Sequence, residues 1–271
     1  MPGPDLIKPD PRDFSLLVDT VREAGALALT MFRQHVRKWV KPDGSPVTEA
    51  DMAVDRLLRS RLQSARPAYG WLSEETPDNP ERLSAEALWI ADPIDGTRSF
   101  LNGTDEWCVA VALAVHGRPV FGAVHRPVTE QFYEASLGGG ARLNGRSLRL
   151  VGRTELDGAR IAGSSGALKK LATHGAIEHH AKTSVPLALR LCFVASGNYD
   201  AALSTGNKND WDLAAGDLIV HEAGGKVTGL DGRRYAFNRR NTWQQGLVAG
   251  SAPLHEKIIA VMGTRHDEES S

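Results

Sequence analysis

The stretch Leu88-Trp89-Ile90-Ala91-Asp92-Pro93-Ile94-Asp95-Gly96-Thr97-Arg98-Ser99-Phe100 constrains this chain more than any other, because it runs an apolar segment straight into two carboxylates and a glycine. Leu88 to Ala91 predict a buried strand. Pro93 can neither donate to a sheet ladder nor continue a helix, and Gly96 lets the backbone come close to a ligand. Asp92 and Asp95 are thereby expected on a stiff turn at the carboxyl end of a strand, where layered α/β sheets bind ligands. Asp, Pro and Gly also make ordinary strand exits, so the stretch alone leaves both readings open.

Two further acidic clusters change the balance. Ser73-Glu74-Glu75 follows the short run Tyr69 to Leu72, and Asp210-Trp211-Asp212 opens an apolar helix expected from Leu213 to about Ala223. If Glu74, Asp92, Asp95 and Asp212 converge, each carboxylate pair about 4 Å apart costs roughly 1 to 4 kcal/mol, so the group needs a cation. Hard oxygen donors favour Mg²⁺ or Mn²⁺ over Zn²⁺, which prefers His and Cys. Asp212 could equally serve as an N-cap, since exposed amides at a helix start favour negative charge.

These residues resemble the inositol monophosphatase family of Mg²⁺-dependent, lithium-sensitive phosphatases. The likeness rests on Val47-Thr48-Glu49-Ala50-Asp51, Ser73-Glu74-Glu75, Asp92 to Thr97, and Trp211-Asp212 with His221-Glu222-Ala223-Gly224-Gly225 behind it. It implies an α/β (α+β) fold, a layered αβαβα sandwich of mixed sheets, and two bound Mg²⁺ with room for a third. In the family pattern Glu74, Asp92 and the carbonyl of Ile94 hold one ion, and Asp92, Asp95 and Asp212 hold the second. Thr97 pairs with Asp51 to polarise the attacking water, the amides of Gly96 and Thr97 cradle the phosphoryl oxygens, and Glu75 and Lys41 stand behind the ligands. A homodimer and inhibition by Li⁺ are further implications.

The flanking chain fits that frame. Asp13 to about His35 carries apolar residues at helical spacing, with Asp13 the expected N-cap. Thr48 is expected to cap a second helix, with Asp51 at N3 of a capping box. Asp51 therefore has a structural explanation beside the catalytic one, and one geometry can serve both. Trp107–His116, Val120–His125 and Gln131–Ala135 predict an antiparallel meander, and Asn144-Gly145 a hairpin turn. Gly138-Gly139-Gly140 is expected to be a flexible turn, because no helix start or Gly-Lys-Ser/Thr follows. Pro186 to Ser196 predicts a helix apolar on most faces. A lobe carrying most of the metal ligands is expected over residues 1–150, a second over 151–263, and a polar tail over 264–271.

Bulk properties exclude some classes. A net charge of −1 over 271 residues argues against a nucleic-acid polymer or membrane surface as partner. Cys108 and Cys192 lie in apolar runs and read as free buried thiols, as in a reducing cytoplasm. No candidate nucleophile with an adjacent base stands out, so direct attack by water on a small phosphorylated metabolite fits best. Inositol-specific members carry a glutamate a few residues before the Trp-Asp pair, and this chain reads Leu203-Ser204-Thr205-Gly206-Asn207-Lys208-Asn209-Asp210 there. Lys208, otherwise an exposed loop lysine, would suit a second phosphate, which points to the 3'(2'),5'-bisphosphate nucleotidase branch. Inositol-1-phosphate and histidinol phosphate are alternative substrates, the latter because of Arg98. A catalytically silent binding protein is the alternative from another class, and the presence of every metal carboxylate and of Thr97 weighs against it.

Overall fold

A computed structural model describes residues 10–42, 44–175, 177–180 and 185–263. Helix α1 (Pro11–Met31) starts three residues earlier than Asp13 would cap it. Asp10 is the N-cap, accepting from the Arg12 amide at 2.9 Å ahead of a proline at the first helical position. Asp13 is instead buried, accepting from the Tyr69 hydroxyl at 2.8 Å and pairing with Arg66. A hairpin of β1 (Lys38–Val40) and β2 (Pro46–Thr48) leads into α2 (Glu49–Ala65), capped by Thr48 as expected.

A seven-stranded sheet follows, formed by β3 (Gly70–Ser73), β4 (Ala87–Asp95), β5 (Cys108–Val115), β6 (Arg118–Arg126), β7 (Gln131–Ser136), β8 (Gly140–Leu143) and β9 (Arg146–Ser147) in that spatial order. Only the β3–β4 pair is parallel, and the rest is the expected meander. The turn after β4 runs into the short helix α3 (Thr97–Leu101). The second sheet orders β11 (Ile177–His180), β10 (Ala159–Gly163), β12 (Ala201–Ser204), β16 (Leu247–Gly250) and β14 (Lys226–Thr228). Between these strands come α4 (Ser165–Ala172), α5 (Leu187–Ala195), a ribbon of β13 (Lys208–Asn209) with β15 (Trp243–Gln244), α6 (Asp210–Glu222) and finally α7 (Ala252–Gly263).

The layers follow from where each apolar face is buried. Helices α1 and α2 cover one face of the large sheet around Leu17, Val54, Trp89 and Trp107. Helices α5 and α6 fill the space between the sheets, packing Leu189, Cys192, Leu213 and Ile219 against Ala110, Val124 and Tyr133. Helices α4 and α7 close the far face of the small sheet around Leu168, Val248 and Ile258. The result is the expected αβαβα sandwich. Both cysteines are free and buried. Among the described residues, no helix is long and apolar enough to cross a membrane. The polar tail expected over 264–271 lies outside the described residues.

The triple glycine departs from expectation. It forms the β7–β8 turn, and the amides of Gly138 and Gly140 each donate to the carboxylate of Glu222, at 2.9 Å, from the end of α6. A turn predicted to be flexible is held by a charge-assisted clasp to another layer.

Candidate active site

Parallel pairing places the first acid. Ser73 lies opposite Ala91 in the β3–β4 register, so the residue after Ser73 emerges beside the residue after Ala91, and Glu74 flanks Asp92. The Glu74 amide donates to the Ala91 carbonyl at 3.3 Å. The loop is anchored by Asp55, which accepts from Ser73 Oγ at 2.5 Å and Thr76 Oγ1 at 2.7 Å. Strand β4 continues through Pro93 to Asp95 because a bulge between Asp92 and Asp95 absorbs the missing donor. Gly96 turns the chain with φ +101°, and a Cβ there would stand 2.7 Å from the Glu106 carbonyl, so no other residue fits.

The two remaining aspartates share one local design. Asp51 sits at N3 of α2. Its Oδ2 accepts from the amide of Thr48 at 2.8 Å and from the Thr48 hydroxyl, while Oδ1 accepts from Thr97 Oγ1 at 3.1 Å. Thr97 Oγ1 also lies 3.2 Å from the carbonyl of Ile94. One carboxylate thus caps a helix with one oxygen and holds the threonine with the other. Asp212 is not the N-cap of α6, because the helix starts at Asp210, three residues before Leu213 was expected to begin it, with Asn209 as cap. Asp212 occupies N3 and reaches back to the Asn209 amide at 2.8 Å. Asp210, read from sequence as part of the same acidic cluster, turns into the interior to accept from Gln244 Nε2 at 2.7 Å and the Asn238 amide at 3.1 Å.

Asp92, Asp95 and Asp212 offer ligand oxygens that lie within 4.8 Å of one another. Their mutual field is severe. Burial first, then Glu74, Asp95 and Asp212, raise the Asp92 carboxyl well above its ordinary range. Burial and Asp212 push Asp95 up to about 8 despite the hydrogen bond from the Ala188 amide at 2.9 Å, and burial pushes Asp212 up to about 6. Asp92 Oδ1 is buried with no hydrogen-bond partner. An orphaned buried carboxylate oxygen amid acids is a donor set for a hard cation, and Mg²⁺ fits it. Lys41 Nζ bridges Glu74 at 2.7 Å and Glu75 at 2.8 Å. Burial opposes the charge on Lys41, but the two glutamates outweigh it and raise its pKa; Glu75, largely through burial, is pushed up to about 7.

The cluster floors a cavity of about 730 Å³ whose walls include Ile94, Gly96, Thr97, Arg98, Lys208 and the segment Val185-Pro186-Leu187. Sequence reasoning missed Arg190, which also lines it. Its signal was present: Arg190 is the one charged residue in the otherwise apolar helix Leu187 to Ala195.

Hard oxygen donors under a polar cavity, next to a hydroxyl–carboxylate pair, suit a divalent-cation-dependent hydrolase. The chain belongs to the inositol monophosphatase family, whose profile matches residues 13–266. It is 34% identical over 242 residues to an inositol-1-monophosphatase of Mesorhizobium japonicum, covering 83% of this chain and 86% of that protein. It is 32% identical over 238 residues to a 3'(2'),5'-bisphosphate nucleotidase CysQ of Aggregatibacter actinomycetemcomitans, covering 84% and 88%. The crystal structure of extragenic suppressor protein suhB from Bartonella henselae aligns with a TM-score of 0.80 at 27% identity, covering 93% of this chain and 98% of that one. Members of the family are phosphatases that hydrolyse phosphate monoesters, in general with Mg²⁺.

Proposed function

We propose that this phosphatase acts on a 3'(2'),5'-bisphosphate nucleotide, releasing one phosphate by direct attack of water. The observation that carries the reading is Lys208 on the wall of the acid-floored cavity, in a segment with Ser204 and no glutamate between Leu203 and Asp210. A polyol phosphate would find no carboxylate there to accept its hydroxyls, whereas a second phosphate would find a cation.

Glu74, Asp92, the Ile94 carbonyl, Asp95 and Asp212 would hold Mg²⁺, which supplies water activation and charge stabilisation at the leaving oxygen. The chain's own part centres on Thr97 and Asp51. When its hydroxyl donates to Asp51, at 3.1 Å, rather than to the Ile94 carbonyl, at 3.2 Å, Thr97 Oγ1 can accept a proton from water as Asp51 takes its own. Burial raises the Asp51 carboxyl, which makes it a better proton acceptor than an exposed aspartate. The Gly96 and Thr97 amides orient the phosphoryl group, supported by the positive φ at Gly96 that turns the backbone inward.

The test is phosphate release with Mg²⁺ from 3'-phosphoadenosine 5'-phosphate, inositol 1-phosphate and histidinol phosphate in parallel. A kcat/KM for the bisphosphate at least tenfold above the others is expected. A preference for either alternative refutes the substrate assignment.

A further inference from the structure

We infer that the loop from Gly229 to Thr242, between β14 and β15, builds a second binding site, for a nucleotide whose phosphate is held by arginines and whose base stacks on Trp243. The loop carries Arg233, Arg234, Arg239 and Arg240 against one acid, Asp231, in a chain whose net charge is −1. A loop that served only solubility would mix both signs, and a connection this long without secondary structure of its own is commonly a binding loop. Arg233, Arg234 and Arg239, with Asn241 and Trp243, wall a cavity of about 420 Å³, within the range of small-molecule sites. None of the five lines the cavity over the acid cluster. The two are linked through the ribbon, in which Trp243 lies opposite Asn209 and Gln244 opposite Lys208.

The loop is anchored from below. Phe237 is buried, and its amide donates to the Gly117 carbonyl at 3.0 Å. The buried guanidinium of Arg82 donates to Asn238 Oδ1 at 2.8 Å and to the Arg239 carbonyl at 3.1 Å, and the Tyr235 hydroxyl donates to the Gly246 carbonyl at 2.6 Å. Arg239 donates to the carbonyls of Ala236 and Trp243, at 3.1 and 3.0 Å, and to Gln244 Oε1 at 2.8 Å. Those partners are neutral, so its guanidinium is oriented without being neutralised; Asp210, the acid whose carboxyl feels it, is committed to Gln244 and Asn238. Among the described residues the Arg234 side chain has no hydrogen bond or ion pair, and Arg233 has only Asp231, at 4.0 Å. Trp243 is 51% exposed, although its amide donates to Asn241 Oδ1 at 3.0 Å and its carbonyl accepts from Arg239. A large ring held by its own backbone and left half in water is a ready stacking face. Guanidinium forks fit phosphate oxygens and an indole fits a base. A sugar phosphate would leave the indole in water, and an uncharged aromatic would leave the arginines unanswered.

The experiment is calorimetric titration of the full chain with guanosine 5'-monophosphate, guanosine and inorganic phosphate in EDTA, where no cation offsets the acid cluster and the catalytic cavity repels a phosphate. Saturable binding of one nucleotide is expected, about tenfold tighter than either fragment. Arg234→Gln is expected to weaken it about tenfold, as loss of a charge-assisted contact does. Trp243→Ala should weaken it by a similar factor, as loss of a stacked base does, while Trp243→Phe keeps most of the affinity. Arg234 is exposed, and a melting curve like that of wild type shows that its variant has folded. Lys208→Gln is expected to leave binding unchanged. If Lys208→Gln abolishes binding and Arg234→Gln does not, the nucleotide sits in the catalytic cavity and the inference is overturned. Phosphate that binds as tightly as the nucleotide overturns it too, as does a single-stranded oligonucleotide that binds where the mononucleotide does not, or the absence of saturable binding at millimolar nucleotide. No turnover is measured, so none of these outcomes bears on the substrate assignment.

Discussion

Asp95→Asn should make the metal-free protein more stable while destroying its activity. The carboxyl of Asp95 is pushed up to about 8, by burial and then by Asp212, against an ordinary value of 3.8. A carboxyl raised on folding costs stability above its unfolded pKa, and the cost grows until pH reaches the folded value. At pH 7 the gap from 3.8 is roughly 3 pH units, or about 4 kcal/mol at about 1.4 kcal/mol per unit. Because Asp92 and Asp212 share the repulsion, about 2 to 4 kcal/mol is the expected relief. Asparagine keeps a carbonyl for the Ala188 amide and presents donors to the neighbouring acids. In EDTA at pH 7 the melting temperature should rise by about 5 to 10 °C. Mg²⁺ should add less to the variant's stability than to that of wild type, and kcat should fall by orders of magnitude. A variant that melts at or below wild type in EDTA would show that the carboxylates do not repel as their packing requires.

Other perturbations follow from the same geometry. In wild type, the stabilisation by Mg²⁺ should grow between pH 6 and 8, with apparent affinity rising about tenfold per pH unit for each proton displaced, as Asp212 and then Asp95 ionise; a pH-independent shift in thermal melts refutes it. Thr97→Val should cut kcat by about 10²-fold or more with the fold retained, because the water loses its proton acceptor. Gly96→Ala should lose both stability and turnover, since its Cβ meets the Glu106 carbonyl at 2.7 Å in a left-handed conformation. Glu222→Gln should destabilise by about 1 to 2 kcal/mol in denaturant titrations without changing kcat, as the charge on the glycine clasp is lost.

Local signals in the sequence carried the site a long way. The apolar run into Asp92 and Asp95, the Thr48–Asp51 capping box and the meander after Cys108 are all written within a few adjacent residues, so pattern and turn chemistry suffice to read them. Contacts between distant segments were not legible. Glu222 seeks the amides of Gly138 and Gly140 across the chain, and no periodicity announces a carboxylate for a glycine turn. Asp210 and Asp212 look alike in sequence, and only the helical turn between them sends one to Gln244 and the other to the acid cluster. Asp10 displaced Asp13 as a cap because the proline that follows it sets the helix start, a signal the apolar periodicity overrode.

The division of the acid cluster along the chain has a consequence for biosynthesis. Asp92 and Asp95 leave the ribosome early, whereas Asp212 emerges only after most of the polypeptide has been made, and the Ala188 amide that braces Asp95 comes late as well. A nascent chain therefore carries two carboxylates of the trio without the third, and the assembled trio exists only once the last layers have docked. A cation that needs all three carboxylates therefore reads completed folding, since a chain cut before Asp212 lacks the third of them.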